Sequence, residues 1–278
     1  MIRTWMATVA MDRASKYRDE SPECYAIVER NIRFNLKNYY HATAELGLIQ
    51  WRQYLPLGNI AIAVMALMEH PKRAEWKRIE RKLFQTLDYA WQPDGGFMTM
   101  LKPVDFEHGA NFYPGEALLA YAFRYAGQTE EERAQDPNFL EKFMHSMRYW
   151  RHWHRIEANR KPAFVPWHVM AYFVVWEVTQ DEELKDWIFE MSDWLLEVQQ
   201  GFEVIMPDFV GRYYDPKRPH FGTPHSSSTG VYCEGMIDAF ELARRVGDTE
   251  RMEKYRLSLL RAFRSVQQNC YWEPIEAW

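Results

Sequence analysis

The chain has 278 residues, 47% of them hydrophobic and 16% aromatic, which is ample apolar material for a sizeable core. Its net charge is −5 with no block of like charges, so the basic stripe that phosphate-backbone binding needs is missing and nucleic acid is excluded as an expected partner. Three cysteines, Cys24, Cys233 and Cys270, are an odd, low count that argues against a disulfide framework, and no apolar run reaches the length of a membrane span; the expectation is a soluble cytoplasmic protein that does not engage a membrane.

In chain order, the opening MIRTWMATVAMDR has too short an apolar run for a signal peptide and meets Asp12 early, and no element is predicted there. Helical periodicity then dominates, and strand-like alternation is scarce. The pattern predicts helices near 22–40, 57–70, 73–91, 114–127, 137–157, 165–180, 182–200, 229–247 and 249–269. After the first, they come in pairs. One member is apolar on most of its surface, as in GNIAIAVMALM, GEALLAYAF, WHVMAYFVVW and, more weakly, GVYCEGMIDAFELA. The next is amphipathic and charged, as in AEWKRIERKLFQTLDYAW or ERMEKYRLSLLRAF. A helix apolar all round must be buried, and an amphipathic one covers it from outside. Short connections follow the inner helices and long loops follow the outer ones, so the long loops share one end.

Three inner helices open with proline and soon meet one polar residue: Asn59 after Pro56, Glu116 after Pro114, and His168 after Pro166. The fourth lacks the proline but offers Glu234. These four polar residues are read as equivalent positions. Two carboxylates and an imidazole converging on one cavity could serve as acid and base for a glycosidic bond or a sugar C–H. The plainer reading is helix capping, since an acid in a first turn complements the dipole.

Alternating inner and outer helices with long loops at one end, together with LDYAWQPDGGF (87–97), resemble the α/α-toroid superfamily. Its members include six-hairpin glycosidases, polysaccharide lyases, sugar epimerases and terpenoid cyclases. YPGEALLAY (113–121) and the Tyr-rich loop are most similar to the glucuronyl C5-epimerase type. The resemblance implies an all-α fold, an incomplete α/α toroid spanning 1–278 as one domain. Four hairpins and one leading helix are fewer than the five to seven of the families it resembles. An open ring, a longer chain and closure by a partner, including a second copy, are alternative expectations. The acid and metal motifs of terpenoid cyclases are absent, and Cys270 is followed by Tyr271 where lanthionine cyclases carry a zinc-ligand His.

Around the inner-helix ring two loops supply further candidates. KPVDFEHGANFY (102–113) brings His108, Asn111 and Tyr113 up to Glu116, and Asp94 belongs to the preceding Asp-Gly-Gly turn; all four are expected substrate contacts. The long loop 201–230 carries Asp208, Arg212, Tyr213, Tyr214, His220 and His225. Arg212 would fork onto a carboxylate, and tyrosines can stack on sugars or exchange protons. The expected catalytic set is Glu116, His168, Glu234 and Tyr213, with Asn59, Asp208, Arg212, Tyr214 and His225 binding substrate. No metal or cofactor is expected, since the His pairs lack metal-ligand spacing and no Gly-rich nucleotide loop follows a strand. The function expected is acid/base chemistry on an oligosaccharide, acidic or neutral: hydrolysis, elimination or epimerisation. Its rivals are a non-catalytic helical-repeat module that binds a glycan or protein, and a terpenoid-cyclase-like enzyme, which would need an apolar cavity with an acid at its top.

Overall fold

The computed structural model describes residues 2–16, 22–201, 206–215 and 225–268. They are mostly helical, with a few short strands, as an all-α chain requires. They fall into two compact units, one within residues 1–153 and the other within 154–278.

The first unit begins with α1 (Ile2–Lys16) and α2 (Pro22–Tyr39). The hairpin β1 (Tyr40–Ala42) and β2 (Gly47–Ile49) leads through β3 (Leu55–Pro56) into α3 (Leu57–Glu69) and α4 (Lys77–Ala90). Then come β4 (Met100–Lys102), β5 (Val104–Asp105), α5 (Tyr113–Ala126), the short α6 (Glu130–Ala134) and α7 (Asn138–Arg155). Every residue of α3 from Leu57 to Leu67 is buried, as its all-round apolarity demands. It packs against α1, α4 and α5. By contrast α4 buries Leu83, Phe84 and Leu87 and exposes the charged side. Rings of α5 meet α7 where Tyr125 stacks on Phe139, with centroids 5.1 Å apart.

Helix α1 was not expected. It packs on both α2 and α3. Its buried residues are Trp5, Thr8, Val9, Asp12 and Ser15, a helical face on which three of the five are polar. That polarity hid the period. The face is held by hydrogen bonds as well as by burial: Asn31 Nδ2 donates to Thr8 Oγ1 at 2.6 Å, and the Arg13 guanidinium forks onto Glu69 at 2.9 and 2.7 Å.

Strands β3, β4 and β5 form an antiparallel sheet in that order. Because β3 runs directly into α3, the sheet lies at that helix's N-terminal end. The 87–97 turn has a structural explanation. Gly95 takes φ +93°, Asp94 Oδ1 accepts the Gly96 N–H at 2.9 Å, and Ser146 Oγ of α7 donates to the Gly95 carbonyl at 2.6 Å. The motif therefore ties the end of α4 to α7.

The second unit contains α8 (Val165–Thr179), α9 (Glu182–Glu197), α10 (Ser226–Val246) and α11 (Thr249–Gln267). Helix α8 packs on α9 and α10, and α10 on α11. Gln180 ends α8 in the left-handed region at φ 54°, and Asp181 caps α9 by accepting the N–H groups of Glu183 and Leu184. Gly235 lets α10 lie against the start of α8, where a Cβ would come 2.6 Å from Pro166 Cα. The connection before α8 is only residues 156–164, so the expectation of a long loop after every outer helix does not hold there.

Candidate active site

Tyr113 and Glu116 stand three residues apart on the first turn of α5, hence on one face. Phe112 at the N-cap makes no side-chain capping hydrogen bond. Glu116 does not cap either. Its side chain is only 2% exposed, and Oε2 has no hydrogen-bond partner among the described residues. Removing a carboxylate from water without a compensating donor favours the protonated form. Burial accordingly pushes the Glu116 carboxyl up to about 8, so near neutral pH it is an uncharged acid.

Glycines make room for this pair. A Cβ on Gly58, in the first turn of α3, would lie 2.1 Å from Glu116 Oε2 and 2.4 Å from Tyr113 Cδ1. Gly109, at φ +78°, takes the other edge of the ring, where a Cβ would lie 2.4 Å from Tyr113 Cε2. The Tyr113 ring is thus clamped between two stretches of bare backbone. Its phenol is raised from the ordinary value, first by burial and then by Glu116. Asn59 follows Gly58 and is 3% exposed, with no side-chain cap at the start of α3. The glycines were not among the expected site residues, although both are visible as PLGN (56–59) and EHGAN (107–111).

The other candidates of this unit are more peripheral. His108 is exposed, and its backbone N–H donates to Asp105 Oδ1 at 3.1 Å. Asp105 also accepts the Glu107 N–H, and these bonds hold its carboxyl below the usual range. Asn111 is half-buried. Asp94 is exposed and serves its own turn. Four exposed aromatics that the sequence reading did not single out, Trp51, Tyr54, Phe106 and Phe112, lie on the segments flanking the three-stranded sheet.

In the second unit His168 does open α8, but it is buried in an aromatic stack. Its ring lies 3.7 Å from that of Phe164, which stacks on His154 at 4.5 Å. Nδ1 is 2.8 Å from the Tyr172 hydroxyl. Burial, with His154 beside it, holds the imidazole well below its ordinary value, so it is neutral. Glu234 does not occupy the position expected of it. Helix α10 begins at Ser226, which puts Glu234 two turns inside, and it is exposed where Glu116 is buried. His225 is the exposed N-cap residue of α10, and its carbonyl accepts from Thr229 Oγ1 at 2.9 Å.

Residues 206–215 form a packed cover. Tyr213 is buried with its hydroxyl 2.8 Å from Ser258 Oγ, and burial raises the phenol far above its usual value. Arg212 Nε donates to Ser265 Oγ at 3.0 Å, and its guanidinium lies over Phe209. Tyr214 is half-buried and ties its N–H to Val198, while Asp208 is exposed in a 3-10 turn. His220 lies outside the described residues. Among the described residues, no three His, Cys, Asp or Glu side chains are placed to hold a metal ion, and no helix is long and apolar enough to cross a membrane.

No protein-family model matches the chain, and no curated protein matches it. Among solved structures it is similar to the Lin0763 protein from Listeria innocua, at 12% identity over 97% of this chain and 75% of that one, with a TM-score of 0.63. At that identity the likeness is one of fold.

Proposed function

We propose that the chain is an α/α-toroid enzyme that acts on an oligosaccharide, with Glu116 as its general acid. The observation that carries this reading is the Glu116 carboxyl: buried, its Oε2 without a hydrogen-bond partner among the described residues, not used as a cap and raised to about 8. An acid that is still protonated near neutral pH can donate to a departing glycosidic oxygen. The toroid part of the reading is supported by the succession of buried and amphipathic helices, α3 then α4, α5 then α7, and α8 then α9. Exposed aromatics near the N-terminal end of α3 suit sugar faces. The uronate route receives less support, because Arg212 and Tyr213 are engaged in packing against α11.

The test is a screen of acidic and neutral oligosaccharides in deuterated water, with mass-spectrometric detection of cleavage and of deuterium uptake. Wild-type turnover that falls about a hundredfold or more in Glu116→Gln is the expected result, in keeping with the weight of a general acid. Unimpaired turnover in Glu116→Gln would refute the assignment. A second reading, glycan binding without catalysis, draws on the same exposed aromatics. It predicts binding without product, retained in Glu116→Gln.

A further inference from the structure

A second feature of the first unit lies away from Glu116, on the outer side where α4 meets the last turn of α5. A groove of about 490 Å³ is lined there by Lys77, Arg78, Arg81, Phe84, Asp88 and Arg124, among others. The α4 residues recur at three- and four-residue spacing and so share one face. The groove also runs past the first turn of α4, whose positive dipole end favours an anion.

The half-buried Arg124 is the informative residue. Its guanidinium carbon lies 4.4 Å from the ring centre of Phe84 and 4.8 Å from that of Tyr121. Stacking occupies the faces of a guanidinium, whereas its N–H donors radiate in the plane. None of those donors has a hydrogen-bond acceptor among the described residues. Two acids also line the groove. Glu80 is paired, forked by Arg73 at 2.8 and 2.6 Å with Lys77 at 3.5 Å, and Asp88 accepts the neutral Tyr121 hydroxyl at 2.5 Å, so its negative charge is set against those of Arg78, Arg81 and Arg124. Arg78 and Arg81 form no ion pair among the described residues.

We propose that this groove binds a tetrahedral oxyanion, phosphate or sulfate, on the edge of the Arg124 guanidinium with Arg81 and Arg78 beside it. Phe84 and Tyr121 hold the fork in place before the anion arrives, which lowers the ordering cost of binding. The groove is larger than a free ion needs, so the oxyanion can be an ester on a sugar-sized carrier.

The experiment follows the arginine Nε–Hε resonances of the whole chain during titration with inorganic phosphate, inorganic sulfate and glucose 6-phosphate. A saturable shift at Arg124 is expected. Arg124→Lys, which keeps the charge and loses the fork, should weaken binding about tenfold or more. Arg81→Gln, at an exposed position that leaves packing intact, should weaken it severalfold. Tighter binding of glucose 6-phosphate than of phosphate assigns an ester, and equal binding assigns the free ion. No saturable response to any of the three probes, or affinities unchanged in both variants, overturns the proposal.

Discussion

Glu116→Gln keeps the shape of the side chain and removes its titration. In the folded chain the carboxyl is raised to about 8, against an ordinary 4.5 in the unfolded chain. Below pH 4.5 both states hold the proton and the group adds no pH dependence. Between these values the unfolded chain releases the proton and the folded chain keeps it. Wild-type stability therefore falls as pH rises, by about 1.4 kcal/mol per pH unit. The loss attributable to Glu116 reaches about 3 kcal/mol at pH 7 and levels off near 5 kcal/mol above pH 8. The Gln variant carries any fixed cost of its amide at every pH, so the difference between the two proteins isolates the titration. The assay is chemical denaturation followed by tryptophan fluorescence from pH 5 to 9, wild type against variant. A difference that stays flat across pH 5 to 8 would show that the carboxyl is ordinary, and would remove the basis for its role as a neutral acid.

Further outcomes are expected from other sites. His168 is held neutral, so the unfolded chain takes up a proton as pH falls below about 6.5 and the folded chain does not. Wild type should then lose stability as pH falls below that point relative to His168→Phe, measured by denaturation at pH 4.5 to 7, and a difference independent of pH would refute the neutral assignment. Gly58→Ala forces a methyl group into Glu116 and Tyr113, and should lower stability by about 1–3 kcal/mol in thermal melts. Ser146→Ala strips the Gly95 carbonyl of its donor and should cost about 1–3 kcal/mol, read in the same way.

The helical pairs could be read from the sequence because their burial is written in side-chain chemistry. A run such as NIAIAVMAL has no polar face to offer water, so α3 had to be an inner helix. Charged α4 had to lie outside. Proline and glycine mark the start of α5, and Glu116 stands out as an acid in an apolar run. Where the rule failed, at α1, the buried face contains Thr8, Asp12 and Ser15; Thr8 and Ser15 donate to carbonyls of their own helix, Asn31 donates to Thr8, and Lys16 lies 3.5 Å from Asp12, which lets such a face pack. Glu234 looked equivalent to Glu116 because the start of α10 was placed too late. Its Ser-rich first turn lacks the proline that marked the others.

What the sequence determined by itself was the all-α class, the alternation of buried and amphipathic helices from α3 to α9 and the presence of an acid at the head of one buried helix. These follow from local composition and period. Tertiary structure decided the state of that acid. Whether a first-turn glutamate is a cap or a protonated carboxyl depends on what stands opposite it. Opposite Glu116 stands Gly58, whose missing side chain admits the carboxyl yet supplies no side-chain donor. The same holds for His168 and Tyr213, whose residue types suggested chemistry but whose partners, Phe164 and Tyr172 for one and Ser258 for the other, place them in packing. Neighbours brought together from distant parts of the chain set both charge and solvent access, and no local pattern encodes either.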